Sequence, residues 1–533
     1  MVVSVDSLAS RAGLKVLQEG GNAIDAAVTV GFTLAVTYPS AGNIGGGGFM
    51  VIRTANNSFH AIDYREKAPI TSAKDMFLDG AGNVIKNASV NGYLAVGVPG
   101  TVMGLWQAHK KFGSLPWDRL VLPAIQLAKN GFKVGPDLAQ QLENFSEPLH
   151  KSKAVGNVFF ENGKTLSTNH KLRQPQLAAT LKRIAKNGAD GFYKGETARL
   201  IADDMIQNGG LISQNDLDEY ETVWRNPIYI RYRGYDIYSM PPPSSGGVVL
   251  AEILNTAELY PLNQYGHNSA GYVHTLVEIE RHAYYDRARY MGDTDFIKFP
   301  IKKLISKSYA KIIKAKINPF VAGKSEKFDP IFSPALESEE TTHFSIIDKW
   351  GNAVSNTYTL NASFGAKVMV RGAGFLLNNE MDDFSIKPGV PNIYGLIGND
   401  ANAIAPQKRM LSSMTPVIIQ KNDRLFAVLG SPGGSTIITT VAQIIINLID
   451  FEMNIRQAIE APRFHHQWLP DVVYHEKRGL NMDTIHILKG WGYRLKSRSD
   501  LGRVQGIHLD MDEHANILKG WSDPRGSGAV SGN

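Results

Sequence analysis

At Thr341 the hydrophobic period of this 533-residue chain changes, and that change constrains its fold more than any other feature. Upstream, helical patterns dominate long stretches before a loose, lysine-rich region. Downstream, short β-branched and aromatic runs alternate with tight turns. Thr341–Ile347 and Ala353–Leu360 flank Lys349-Trp350-Gly351-Asn352, a hairpin signal. Val417–Gln420 and Leu425–Leu429 read as further strands. Gly430-Ser431-Pro432-Gly433-Gly434-Ser435 then opens a long apolar helix, Thr436–Ile449. The part after Thr341 therefore reads as strand-rich, which is compatible with an α+β fold.

The upstream part carries its own punctuation. Ser7 or Ser10 is expected to cap a helix over Leu8–Gln18 that Gly20-Gly21 stops, and Asn22 caps a second, almost wholly apolar helix. The run Gly45–Gly48 is followed by a strand, Phe49–Arg53, and no Lys-Ser/Thr pair, so close backbone packing is expected rather than a phosphate cradle. Pro241-Pro242-Pro243-Ser244-Ser245-Gly246-Gly247 reads as a rigid turn into a helix Val248–Leu254. Asp286, Asp293 and Asp295 lack calcium-loop spacing and are read as caps and ion pairs. His465 and His466 are adjacent and lack a third ligand at suitable spacing, so a structural role is expected and no metal.

Composition narrows the function. A net charge of +6 is small for this length, and no basic arm interleaves with aromatics, which argues against nucleic acid. The run Lys302–Lys327 reads as a solvated helix with a flexible tail. With no cysteine there is no thiolate catalysis and no disulfide, while an oxidising compartment stays compatible. No signal peptide is visible after Met1, and the longest apolar run, Ala23–Val36, is too short to span a bilayer, so stable membrane insertion is not expected.

Thr341 has two readings. It starts a strand, where threonine is ordinary. It is also a latent nucleophile: a cut between Glu340 and Thr341 would place a hydroxyl and an α-amine (pKa near ~8) on one residue, the amine serving as base. The Gly433-Gly434 turn before a helix offers N–H groups to an oxyanion. Glu380 and Asp383 suit an ammonium group, and Arg65 with Ser412-Ser413 suits a carboxylate. Alone each is an ordinary turn or surface pair. Together they meet the needs of one ligand, an α-amino acid head with a scissile carbonyl beyond it.

The chain resembles the γ-glutamyltranspeptidase (glutathione hydrolase) family of the N-terminal nucleophile hydrolase superfamily. The likeness is carried in order by Gly20–Ala27, Gly45–Gly48, Asp63–Pro69, Pro241–Gly247, Thr341–His343, Leu377–Phe384, Leu411–Met414, Gly430–Ser435 and Ala461–His465. It implies a four-layer αββα sandwich built jointly by two autoprocessed subunits, a large one (1–340) and a small catalytic one (341–533), paired as a heterodimer. By the same resemblance Thr341 is the nucleophile and Thr359 a supporting hydroxyl. Arg65, Ser412 and Ser413 hold the donor's α-carboxylate, and Asn361, Glu380 and Asp383 its α-amine. Gly433 and Gly434 supply the oxyanion hole, and Tyr394 closes a lid that favours small donors.

The implied activity needs no cofactor. It moves the γ-glutamyl group of glutathione or another γ-glutamyl compound to water or to an amino acid or dipeptide acceptor, in a periplasmic or secreted location. Glu340 stands where many relatives have glutamine, which affects the rate of processing rather than its occurrence. Two rivals are a cephalosporin (glutaryl) acylase on the same fold and a catalytically silent amino-acid or glutathione binder. The first is disfavoured by head-group residues for an amine that a glutaryl group lacks; the second predicts an uncleaved chain.

Overall fold

Two antiparallel sheets lie face to face between layers of helices. The computed structural model describes residues 1–325, 341–511 and 516–532. The first sheet runs Ala529–Ser531, Val2–Ser4, Thr341–Ile347, Ala353–Thr359, Gly47–Arg53, Phe59–Tyr64, Val223–Arg225. The second runs Asn516–Ser522, Gln505–Met511, Arg424–Gly430, Val417–Lys421, Tyr235–Ser239, Ile228–Tyr232. Residues from before and after position 341 thus share both sheets. The expected hairpin is present, with Thr341 opposite Thr359 and Ile347 opposite Ala353.

Alternation along the strands assigns each side chain to a layer. Phe344, Ile346 and Val354 face the helices, joining a cluster that includes Val28, Phe32 and Val36 of the helix Ala23–Thr37. Ile347, Ala353 and Val51 face the other way and meet Ile418, Val428 and Ile507 of the second sheet. The outer face of that sheet, with Ile237, Ile419 and Leu429, packs on the helices Gly246–Ala257, Ala270–Tyr290 and Ile437–Ile449. Both faces of each central strand are covered, so every residue of Thr341–Ile347 is buried although the sheets are antiparallel.

Toward Thr341 the layer between the sheets turns polar. His343 sits 2.8 Å from Thr357 Oγ1 and 3.1 Å from Ser345 Oγ, and Ser345 donates to Gln505 O at 2.9 Å. Burial pushes His343 down to about 3, which keeps the imidazole neutral. The glycine run fulfils its expected packing use: a Cβ on Gly46 would lie 2.0 Å from Thr359 O, and one on Gly45 2.1 Å from Leu376 O.

Local details differ from the sequence reading in two places. Asp6, not Ser7 or Ser10, caps the first helix (Ser7–Gln18), accepting from Leu8 N and Ala9 N at 3.0 Å, because it alone stands extended before the first turn. The helix after the proline turn begins at Gly246, since the turn residues themselves enter the helical conformation. The basic segment forms the helices Ile301–Leu304 and Lys307–Lys316; its tail from residue 326 lies outside the described residues. Among the described residues no helix is long and apolar enough to cross a membrane.

Candidate active site

Thr341 begins a strand whose inward face opens into a cavity of about 280 Å³. The cavity is lined by Thr341, Thr359, Arg65, Asn361, Glu380, Asp383, Tyr394, Ser412, Ser413 and Gly434, together with Leu396, Met414 and Ile437. Ten residues singled out in the sequence, spread over some 370 positions, therefore converge on one space. Gly433 adjoins it through Gly434. Glu340 lies outside the described residues.

Each side chain is held by its own element. Thr359 ends the strand paired with Thr341, and its Oγ accepts from Asn361 N at 2.8 Å. That contact fixes Asn361 at φ 75°, a left-handed position asparagine tolerates, and turns its side chain to donate to Asn379 O at 3.0 Å. Glu380 and Asp383 lie on the short helical turn Glu380–Asp383. Gly433 (φ 133°) and Gly434 (φ 52°) make the turn that feeds Gly434–Thr436 and then the helix Ile437–Ile449, so the positive end of that helix faces the cavity. A Cβ on Gly434 would lie 2.4 Å from the Tyr394 ring.

Arg65 is fully buried and forks between the two carboxylates: Nη1 donates to Glu380 and Nη2 to Asp383 Oδ2 at 2.5 Å, while Nε reaches Met410 O at 3.3 Å. Burial works against its charge, but Glu380, Asp383 and Glu66 offset this and hold the guanidinium above its usual range. Burial raises Glu380 and Asp383 above the usual carboxylate range, with Arg65 pulling both back. The groups that resemblance divides between a carboxylate and an ammonium are thus paired with each other. An amino acid head, itself one negative and one positive charge, can enter by extending this alternation. Three of Arg65's five N–H groups are used by the contacts above, which leaves donors for an incoming carboxylate. Ser412 Oγ accepts from Met414 N at 3.1 Å, so its own proton is free to point outward.

The 388–408 loop is tied over the cavity. Tyr394 donates to Asn361 O at 2.7 Å, Asn392 donates to Asp383 Oδ1 at 2.9 Å, and Ile393 N donates to Asp382 Oδ2 at 3.0 Å. His465 and His466 bond instead to Thr439 Oγ1 (2.8 Å) and Asp471 Oδ1 (3.2 Å), outside the cavity. Asp295 pairs with Arg225, and Asp293 accepts from Arg409 N, as the caps and ion pairs expected of them.

The sequence model of the Gamma-glutamyltranspeptidase family matches residues 9–533. The chain belongs to that family. It is 48% identical to the glutathione hydrolase proenzyme of Escherichia coli (strain K12) over 526 residues, 98% of this chain and 90% of that one. A solved γ-glutamyltranspeptidase chain from Helicobacter pylori is 47% identical and superposes with a TM-score of 0.59, covering 60% of this chain and 91% of its own. The cephalosporin acylase of Bacillus halodurans superposes over 99% of this chain and 95% of its own, with a TM-score of 0.86 and 27% identity. The αββα architecture is therefore that of N-terminal nucleophile hydrolases, and this γ-glutamyltranspeptidase family member is an enzyme.

Two neighbours of the site were not singled out in the sequence. Glu66, wholly buried 3.8 Å from Arg65, is pushed up to about 7 by burial. In the sequence it is one charge of the Arg65-Glu66-Lys67 run and reads as solvated. Tyr284 donates to Ser435 O at 2.5 Å, bracing the turn that carries Gly433 and Gly434. It belongs to a helix with charges on several faces, where no period marks it out.

Proposed function

We propose that this chain is a self-cleaving γ-glutamyltransferase and glutathione hydrolase whose nucleophile is Thr341. The observation that carries the reading is the convergence of Thr341 with the Arg65, Glu380, Asp383, Ser412 and Ser413 set in one cavity. Cleavage before Thr341 divides the chain into subunits 1–340 and 341–533. The freed α-amine takes the hydroxyl proton as Oγ attacks the γ-carbonyl, and the Gly433 and Gly434 N–H groups bind the oxyanion. The amine returns the proton to the departing nitrogen, leaving a γ-glutamyl ester on Thr341. Water releases glutamate from the ester; an amino acid or dipeptide amine releases a new γ-glutamyl compound. The substrate class is glutathione and related small γ-glutamyl compounds, and the working compartment the periplasm or the cell exterior, to be checked by fractionation of producing cells.

The test compares γ-glutamyl-p-nitroanilide with glutaryl-p-nitroanilide, which lacks the α-amine. Turnover of the first and little of the second is expected, because glutaryl leaves Glu380 and Asp383 without an ammonium partner. The likeness to the Bacillus halodurans acylase favours one second reading, an acylase, and preference for glutaryl would establish it.

Glu66 gives a pH prediction. Its raised pKa means that it is neutral below about 7 and negative above. Ionisation places a third negative charge near Arg65 and weakens the hold on a donor carboxylate. KM for the γ-glutamyl donor is expected to rise as pH passes through about 7, and Glu66→Gln to flatten that rise. A variant whose KM profile overlays the wild type would remove Glu66 from the account.

Tyr394→Ala removes both the ring against Gly434 and the bond to Asn361 O. We expect kcat/KM on oligomeric γ-glutamyl peptides to increase relative to glutathione, measured by competition between the two. An unchanged ratio would mean that the loop does not select by size.

A further inference from the structure

Arg287 lies in the last turn of the helix Ala270–Tyr290 and is buried. Its hydrogen bonds go to two hydroxyls: Nε donates to Ser245 Oγ at 3.0 Å and Nη2 to Ser413 Oγ at 3.3 Å. Among the described residues no carboxylate lies within 4.0 Å of its guanidinium. Of the other buried arginines, Arg65, Arg281, Arg409 and Arg463 each have such a carboxylate, while Arg53 bonds to Asn57 Oδ1 and Gly351 O and lines neither cavity. Asp383 lines the same cavity as Arg287 and acts on it from beyond that distance, and a buried cation so weakly countered is expensive unless a ligand brings an anion.

Its two hydroxyl partners have different fates. Ser245 accepts from Arg287 and passes its own proton to Ser412 O at 2.7 Å, while its N–H reaches the same oxygen at 2.8 Å. Ser245 is thereby saturated, and the proline-rich turn clamps the Ser412-Ser413 backbone. Ser413 Oγ also accepts from Arg287, so its proton must point elsewhere, and Ser413 lines the Thr341 cavity. Arg287 itself lines an adjoining cavity of about 310 Å³, which shares Asp383 and Leu396 with that one.

We propose that Arg287 is a positioning residue for the donor's α-carboxylate: it orients the Ser413 hydroxyl as a donor and supplies a positive charge, faced by Asp383 but not ion-paired with it, that makes the pocket favour a carboxylate. This rests on the γ-glutamyl reading above. Arg287 does not touch the substrate; it acts through Ser413 and through its field. Arg65, already shared between Glu380 and Asp383, has less charge to give, so the second cation balances the head group.

The test uses the mature protein and three p-nitroanilides: γ-glutamyl, glutaryl without the α-amine, and 4-aminobutanoyl without the α-carboxylate. Arg287→Met is expected to raise KM for the γ-glutamyl donor about 10-fold or more, the scale of a hydrogen bond involving a charged group, with kcat little changed. Its effect on the 4-aminobutanoyl donor should be absent. If that donor turns over too slowly, competitive inhibition by L-glutamate and by 4-aminobutanoate supplies the same contrast. Arg287→Lys keeps the charge and should recover part of the loss.

In a Ser413→Ala background, Arg287→Met should lose less than it does alone, since the two act in series. Equal losses on all donors would reduce Arg287 to a structural prop, and no loss on the γ-glutamyl donor would overturn the proposal outright. Should Arg287→Met fail to fold, Arg287→Lys with and without Ser413→Ala carries the comparison. Wild-type protein that leaves γ-glutamyl-p-nitroanilide untouched would refute the functional reading itself, a result distinct from any of these.

Discussion

Thr341→Ala protein is expected to stay a single 533-residue chain on a denaturing gel, while the wild type resolves into two chains, the smaller beginning Thr341-Thr342-His343. On the proposed mechanism the hydroxyl is needed twice. In the precursor its attack on the Glu340 carbonyl moves the acyl group from nitrogen to Oγ, and water hydrolyses that ester. This step yields a Glu340 carboxylate and the free amine and hydroxyl of Thr341. In the mature enzyme the same oxygen carries the γ-glutamyl group. Loss of a nucleophile costs on the order of 10⁶ in kcat in a serine protease, so γ-glutamyl-p-nitroanilide turnover should fall to background. Thr341→Ser keeps an oxygen there and should process and turn over more slowly. Two chains from Thr341→Ala would show that another group performs the cleavage, and the assignment would fail.

The second large effect is at Arg65. Arg65→Met removes the cation shared by the buried Glu380 and the partly exposed Asp383 and leaves both carboxylates without it. Both are already raised by burial, and without the guanidinium they rise further and take up protons. The variant loses the partner of the donor's carboxylate and, because the acids are neutralised, the partners of its ammonium as well. Truncating one side of a buried charge pair costs ~2–5 kcal/mol, about 30-fold to several thousand-fold in kcat/KM. Arg65→Lys retains a charge but cannot fork to both acids, so it should recover little. Processing into two chains should persist, because Arg65 acts on the donor and not on the bond before Thr341. A Met variant with near-wild-type kcat/KM would displace Arg65 from the binding set.

Much of this was legible in the sequence, for reasons that are local. The hairpin at Thr341 follows from β-branched runs around a Gly-Asn turn, and the buried helix Ala23–Thr37 from an apolar run behind an Asn22 cap that also uses Asp25. The glycine run is read correctly because no Lys-Ser/Thr follows it. The family, and with it the proposed site residues, became legible only as motifs in order along the chain. No single motif separates a functional turn from a connecting one.

What local pattern could not carry is pairing across sequence distance. Arg65 in its own segment reads as a surface partner for its neighbours. Its carboxylates lie 315 and 318 positions away, and only burial makes that contact strong. Arg287 and Glu66 escaped for the same reason: a charged residue next to other charges looks solvated until the fold removes the water. Asp6 displaced the expected serine cap because the conformation before the first turn, not residue type alone, selects the cap. Residue order thus determined the elements, the place of Thr341 at a strand start and the inventory of charges. The tertiary structure decided which charges face each other and that Arg287, beside the cavity, bonds to hydroxyls instead of a carboxylate, because the energy of a charge depends on the dielectric around it, and that exists only once the chain has packed.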